Sequence, residues 1–338
     1  MIVIISHEED LHAQRVMARL DRDGHRSLLL NLAMLPNRAT LSFDYDSPER
    51  PALQLRVDGA VHALGDACSV WWRRPQAADP SSVTDPQLRL FTANEWHEAI
   101  GGLWQLMGSP WMNDPQLDEA ASRKAWQLHV ARQVGLRVPR TLISSDPDAA
   151  RAFIASQGLE RTVYKTFSCT HAVWRETRLL RAEDLALLDA LRIAPVIFQE
   201  YVPAGIDVRV TVVGSSVFAA AIKPAAGETR VDFRMRVGRS SMDSFTLPQQ
   251  IDGQLRSLMQ RLGLVYGAID LRISPHGEYF FLEVNTAGEF LFVEERTGLP
   301  ITEAVANWLA QPEPVGATPF SVQPKAGART GRPGKTPS

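Results

Sequence analysis

Gly267-Ala-Ile-Asp-Leu-Arg-Ile273 and Tyr279-Phe-Phe-Leu-Glu-Val-Asn285 are two β-like apolar runs separated by Ser274-Pro-His-Gly-Glu278. Each run carries an acid or amide where alternation calls for an apolar residue. If His276-Gly277 forms a two-residue turn, Pro275 pairs with Glu278, and counting back along both strands sets Asp270 opposite Glu283. Asn285 follows Glu283 by two positions and projects from the same face. Two facing carboxylates and a nearby amide oxygen form an all-oxygen nest, which suits hard Mg²⁺ and the phosphates that accompany it. The alternative is an ordinary hairpin with Asp270 and Glu283 in solvent.

Working outward, 338 residues are enough for two or three domains with a sizeable core. Lys and Arg total 36 against 38 Asp and Glu, a net charge of −2, so no global field favours nucleic acid. Cys68 and Cys169 supply neither a disulfide framework nor a metal-site spacing. No apolar run reaches membrane-spanning length. The start, Met-Ile-Val-Ile-Ile-Ser-His-Glu-Glu-Asp10, lacks a basic leader and turns acidic at once. The expectation is a soluble cytoplasmic protein without a signal peptide.

The chain begins β-α-β: strand 2–5, a helix over 11–20 stopped at Gly24, and strand 27–32, the opening of a small α/β domain. His7-Glu-Glu-Asp10 stands where a Rossmann site would carry glycines, so a dinucleotide site is not expected. Strands at 53–57 and 69–72 lead to Trp71-Trp-Arg-Arg-Pro75, then a helix over 88–106 and a closing segment, Pro110-Trp-Met-Asn-Asp-Pro115. A helical run over 119–134 ends at Gly135, a strand spans 137–143, and Ser145-Asp-Pro-Asp148 caps another helix. Strands are expected at 162–167, 196–203, 207–213, 217–222 and 230–236, with helices at 182–191, 251–262 and 301–309. From Gln311 onward large apolar residues nearly vanish, and a disordered tail is expected. The resulting division is 1–115, 116–200, 201–310 and a tail, 311–338.

Several polar residues interrupt these elements. Lys165, in Val-Tyr-Lys-Thr-Phe167, is either a solvent-facing lysine on an edge strand or a point charge reaching for phosphate. Lys124, in Ser-Arg-Lys-Ala-Trp126, reads first as an ordinary helix-surface lysine. Gln199-Glu-Tyr-Val202 runs into Pro203 and Gly205, a connector whose backbone can address a planar base. Asp207 and Arg209 sit two apart on a strand, either as an ion pair or with Asp207 holding a sugar or orienting Arg209 toward anionic oxygens. Asp232-Phe-Arg234 repeats the spacing, with Arg230, Arg236 and Arg239 nearby. Arg73 and Arg74 either bind substrate acids or pair with carboxylates at a domain interface.

In this order the elements resemble the ATP-grasp fold over about residues 1–309. The segments around Trp71–Pro75, Phe198–Pro203, Gly263–Leu271 and Phe281–Asn285 are similar to the MvdD-like, microviridin-type (graspetide) peptide ligases. The resemblance implies an α/β ATP-grasp fold behind a small pre-ATP-grasp domain, using ATP and Mg²⁺. It implies an enzyme that links side chains of a ribosomal precursor peptide made of a leader and an acidic, hydroxyl-rich core, and it admits a homodimer. It places Lys124 and Lys165 on phosphates, Gln199, Glu200, Tyr201 and Val202 on adenine, and Asp207 near ribose. Asp270, Glu283 and Asn285 would hold Mg²⁺, and Arg209 and Arg234 would face the transferred phosphoryl group and the acyl intermediate. Two departures stand out: the loop at 168–174 lacks phosphate-covering glycines, and Thr286-Ala-Gly-Glu289 follows Asn285 where relatives often carry proline. The competing readings are a RimK-like ligase adding a free amino acid and a nucleotide-binding regulator without turnover.

Overall fold

The computed structural model describes residues 1–46, 50–167, 177–203, 205–223 and 241–313. The expected strand at 230–236, with Asp232, Arg234 and the neighbouring arginines, lies outside these residues. So do the loop at 168–176 and the tail from 314.

The first unit follows from buried aliphatic strands alternating with an amphipathic helix. Strands β1 (Ile2–Ile5), β2 (Ser27–Leu30), β6 (Ser69–Trp72) and β7 (Trp111–Met112) form a parallel sheet in the order β2-β1-β6-β7. Helix α1 (Leu11–Arg22) is capped by the Asp10 carboxylate, which accepts from the His12 N–H, and buries Val16 and Leu20. Between β2 and β6 the chain makes a separate antiparallel sheet from β3 (Ala39–Asp44), β4 (Ala52–Val57) and β5 (Ala60–Ala63), of which the sequence showed only β4. Helix α2 (Pro86–Leu106) starts at the Asp85 cap with Pro86 in its first turn.

The middle unit departs from expectation. The helical run over 119–134 is two helices, α3 (Pro115–Ser122) and α4 (Lys124–Gln133), broken at Arg123 with neither glycine nor proline. Gln127 compensates for the break: its amide donates to the Ala121 and Val284 carbonyls and accepts from the Val284 N–H. Strand β8 (Thr141–Ser144) is later and shorter than expected, because Arg137 makes only an isolated bridge to Phe280. Helix α5 (Pro147–Gln157) and strands β9 (Thr162–Lys165), β10 (Arg178–Leu179) and β11 (Val196–Glu200) complete a sheet ordered β10-β9-β11-β8. The segment Ala182–Arg192 is a 3₁₀ helix.

The third unit holds the hairpin. Strands β12 (Ile206–Val213), β13 (Ser216–Lys223), β14 (Ser241–Ser244), β15 (Tyr266–Ile273) and β16 (Tyr279–Asn285) form an antiparallel sheet ordered β14-β13-β12-β15-β16. Helix α6 (Gln249–Leu262) covers one face, where Val208, Val210, Val212, Ile269 and Leu271 are buried. Each such side chain contributes about 1.5–3 kcal/mol of burial. Helices α7 (Leu291–Thr297) and α8 (Ile301–Ala310) follow, and α8 packs on α1, so the first and third units share one apolar core.

Asp270 does lie opposite Glu283, but the two-residue turn is wrong. The Ser274 N–H donates to the Glu278 carbonyl, so the loop is Pro275-His276-Gly277 with Gly277 left-handed at φ 79°. The Ser274 hydroxyl accepts from the His276 and Glu278 N–H groups and stabilises this longer turn. From Ile273↔Tyr279 to Leu271↔Phe281 the pairing is therefore one step off the expected count. A bulge at Leu282 restores it at Asp270↔Glu283.

The other face of β12 and β15 is polar and buried. Asp207 pairs with Arg272 (2.7 and 3.2 Å) and Arg209 with Asp270 (2.8 Å), each with its cross-strand neighbour. The intrastrand Asp207–Arg209 pair is thus replaced, because side chains two apart on a strand reach less well than those directly opposite.

Where the first and third units meet, Arg73 and His12 are buried together. The Arg73 Nε donates to Asp10 (3.2 Å) and its Nη1 to the Ala287 and Gly288 carbonyls. Burial and then the Arg73 charge push His12 down to about 4, with Arg74 opposing its protonation and Asp10 and Glu289 only partly favouring it. His12 packs edge-on to Phe290 at 4.6 Å.

Two outcomes follow from these buried charges. Arg272→Met should cost about 3–5 kcal/mol by leaving Asp207 uncompensated. The double variant Asp207→Leu/Arg272→Met should recover most of that in urea denaturation. His12 is depressed in the fold, so its contribution is complete above its unfolded value of 6.5 and falls as pH drops from there to about 4. Unfolding free energy should decline by about 2–3 kcal/mol across that window, and His12→Leu should flatten the decline.

Candidate active site

Lys124, Arg209 and Asn285 share the wall of one cavity of about 670 Å³. Lys124 is the first residue of α4, placed there by the break at Arg123, and its Nζ lies 2.6 Å from the Glu283 carboxylate on β16. It is therefore no ordinary surface lysine. Asn285 ends β16 opposite Ala268, two residues beyond Glu283, and lines the cavity directly. Asp270 and Glu283 reach the cavity through their ion pairs with Arg209 and Lys124. The donor set is all oxygen, on adjacent positions of two paired strands, and both carboxylates are held beside cations. Among the described residues no group of three or more His, Cys, Asp or Glu is suited to a metal, so any cation here depends on Asn285 as well as on the two acids.

Arg209 is almost fully buried. Its Nη1 donates to Asp270, its Nη2 to the Glu289 carbonyl (3.1 Å), and its Nε has no partner among the described residues. Burial alone would lower this guanidinium, but the Asp270 charge and hydrogen bond, with Tyr266 and Glu283, more than offset that and raise it. Gly288 is required beside it, since a Cβ there would meet Ala268 Cβ at 2.3 Å and Arg209 Nη2 at 2.9 Å. The loop from Thr286 to Glu289 is held from three sides: by Arg73, by Arg209, and by the Tyr266 hydroxyl donating to the Gly288 carbonyl (2.7 Å). Burial raises Tyr266 despite the nearby arginines, so the phenol stays a neutral donor. The Thr286-Ala-Gly-Glu289 departure after Asn285 is thus a carbonyl-rich loop clamped by two arginines and a tyrosine.

The remaining sequence-predicted residues are further apart. Lys165 ends β9 opposite Ile197, two residues before Phe167 on the cavity wall. Gln199 is buried and its amide donates to the Thr141 hydroxyl, which fixes β11 against β8. The N–H groups of Glu200 and Tyr201 donate to the Arg140 and Arg161 carbonyls, while the Val202 carbonyl accepts from Arg272. Glu200 lines a separate hollow with Arg137 and Arg140. Asp207 is 2 % exposed, and both its oxygens accept from Arg272. Arg234 lies outside the described residues.

Arg272 was missed, although the signal was present. Asp207-Val-Arg209 and Asp270-Leu-Arg272 carry the same spacing, and antiparallel pairing of two such strands sets each Asp against an Arg. The arginines of Trp71-Trp-Arg-Arg-Pro75 also separate. Arg73 is sealed between the units, whereas Arg74 is half-exposed, pairs with Glu289 at 2.9 Å, and lines the cavity.

Comparison with known proteins places the domains of the chain. The MvdD pre-ATP grasp domain matches residues 1–119, and the RimK-like ATP-grasp domain matches residues 121–309. Among solved structures, the macrocyclase MdnC bound with precursor peptide MdnA from Microcystis aeruginosa MRC is 27% identical with a TM-score of 0.81, over 91% of this chain and 98% of that one. A Chryseobacterium gregarium RiPP-associated ATP-grasp ligase, in complex with ADP and a leader and core peptide, is 25% identical with a TM-score of 0.83, over 93% and 97%. A probable alpha-L-glutamate ligase of Klebsiella pneumoniae (strain 342) is 29% identical over 61% of this chain and 69% of its own length. Among the described residues no helix is long and apolar enough to cross a membrane. A parallel-sheet unit leading into an antiparallel sheet is thus the architecture of the ATP-grasp ligases, and this chain belongs to that family, with an MvdD-type pre-ATP-grasp domain and a RimK-like ATP-grasp domain.

Proposed function

We propose that this ligase uses ATP to activate Asp or Glu side chains of a ribosomally made precursor peptide and joins them to Ser or Thr hydroxyls, or Lys amines, of the same peptide. One observation carries the reading. A single cavity gathers a cation from the middle unit (Lys124), a buried arginine (Arg209) and the end of the Glu283-Val-Asn285 strand. Its support comes from neighbours whose structures hold precursor or leader and core peptides, and from PsnB complexes with Mg and ADP.

In this reading residues 1–115 form the unit that abuts the site, 116–200 carry Lys124, Lys165 and the adenine connector, and 201–310 carry the metal residues. The substrate carboxylate attacks the γ-phosphorus of ATP, ADP leaves with the bond pair, and an acyl-phosphate forms on the peptide. A hydroxyl or amine then attacks the acyl carbon, phosphate departs, and the nucleophile's proton is lost to solvent. Each link removes one water from the peptide and converts ATP to ADP and phosphate. Lys124 and Lys165 bind the phosphate oxygens as point charges. Gln199, Glu200, Tyr201 and Val202 line the adenine, Glu200 and Val202 through backbone groups. Arg209, and on resemblance alone Arg234, stabilise the oxyanion at the acyl carbon. Asp207 does not need to touch ribose: it holds Arg272, which donates to the Val202 carbonyl and so braces the connector. Asp270, Glu283 and Asn285 are the residues that would hold Mg²⁺, which when bound neutralises charge on the phosphoryl oxygens. Until then Lys124 holds Glu283 at 2.6 Å and occupies the position the metal would take beside it.

A second reading, addition of a free amino acid, draws on the glutamate ligases among the relatives. One mass measurement separates the two. With ATP, Mg²⁺ and a precursor encoded beside its gene, the protein should yield peptide lighter by one water per link. Peptide heavier by an amino-acid residue would establish the second reading, and unchanged peptide would sink both. Glu283→Gln should lower turnover by about a hundredfold, the scale of removing one group that stabilises developing charge. It should also abolish the Mg²⁺-dependent part of the rise in melting temperature with ADP.

A further inference from the structure

Arg74 stands at a boundary between two cavities. The first is the 670 Å³ cavity of Lys124, Arg209 and Asn285. The second, of about 600 Å³, lies between α1 and α7 and is lined by Leu11, Arg15 and Leu291 among others. Both volumes lie within the usual range of ligand sites. Arg74, Glu289 and Phe292 belong to both walls, so the Arg74–Glu289 ion pair is the partition between them.

The two arginines of the Trp71–Pro75 segment contrast in how they are held. The Arg73 side chain is 0% exposed and fixed by Asp10 and two carbonyls, so it cannot be released without leaving buried charge unmatched. The Arg74 side chain is 40% exposed and that of Glu289 57%, and a pair so open to water is weak. Replacing Glu289 by another carboxylate exchanges like for like. The rest of the second cavity's rim carries Glu9 and Asp10, together with Arg15, whose pair with Glu295 at 3.2 Å is as open to water as that of Arg74. Of these two arginines only Arg74 also lines the cavity of Lys124 and Arg209, so a carboxylate held by it stands beside the reacting centre.

We propose that Arg74 is the specificity-determining residue that takes the carboxylate to be activated, with Glu289 occupying its place until substrate arrives and the α1–α7 cavity carrying the adjoining peptide. The inference rests on the reading of the chain as a ligase of acidic peptide side chains, and adds the residue that selects them. Arg209, two strands into the sheet and held by Asp270 and the Glu289 carbonyl, stays with the reacting centre, while Arg74 does the choosing at its entrance.

The test is binding rather than turnover, so it fails separately from the ligase reading. A fluorescein-labelled peptide of alternating Thr and Glu, and its Thr and Gln counterpart, are titrated by anisotropy into full-length protein with ADP and Mg²⁺. Wild type should prefer the Glu peptide by about tenfold, the scale of one well-placed charge pair. Arg74→Gln should erase that preference while leaving ADP affinity and melting temperature unchanged, and Arg74→Lys should keep part of it. Glu289→Gln should tighten the Glu peptide severalfold by removing the competitor. Equal binding of the two peptides by wild type, a preference that survives in Arg74→Gln, or weaker Glu-peptide binding in Glu289→Gln would each overturn the proposal. Water loss from a precursor decides the ligase reading independently of these outcomes.

Discussion

Strands β12 and β15 bury four charges on one face, and the rest of the site depends on how those charges meet. Taking a carboxylate or guanidinium out of water costs several kcal/mol, which is offset only by a close partner. Two Asp-x-Arg strands running antiparallel solve this, because Asp207 faces Arg272 and Arg209 faces Asp270. The same arrangement penalises other registers. A slip of two residues one way sets Asp207 against Asp270, and the other way sets Arg209 against Arg272, so like charges would meet in a dry environment. A slip of one residue would turn the valines of β12 away from α6. Register, and with it the position of Glu283 and Asn285 on the next strand, is thus set by charge as well as by apolar burial.

From that sheet the constraint extends to the loop after Asn285. Its carbonyls at Ala287, Gly288 and Glu289 accept from Arg73, Tyr266 and Arg209, which come from different parts of the chain. Gly288 lets the backbone approach Ala268 and Arg209 closely. The first unit is therefore part of the site and more than an appendage: one of its arginines is buried mortar at Arg73, and the next stands in the open at Arg74. Adjacent positions with the same side chain serve different ends because the end of β6 turns one toward the core and the other toward the cavity.

The hairpin shows how a sequence argument can reach a true pairing by an incomplete route. Counting from a two-residue turn located Asp270 opposite Glu283, but Ser274 caps a three-residue loop and Leu282 absorbs the extra position. The count succeeded because two single-residue departures cancel. The break at Arg123 was not legible in the same way, since no glycine, proline or capping side chain marks it. What stabilises it is Gln127 reaching Val284 on β16, a contact between residues 157 apart in sequence. Lys124 consequently read as a surface residue until that contact turned α4 to face Glu283.

By itself, the sequence determined the chemical inventory: two carboxylates and an amide at strand spacing, a lysine in an apolar strand, a connector ended by proline and glycine, and paired arginines after Trp72. Those are local properties, and composition, alternation and turn residues carry them. Only the tertiary structure decided who neutralises whom. Asp207 went to Arg272 rather than to Arg209, Glu283 to Lys124, and the loop carbonyls to Arg73 and Arg209. The physical reason is that a buried charge selects its nearest well-oriented opposite, and nearness across strands and between units is created by folding, not by position along the chain.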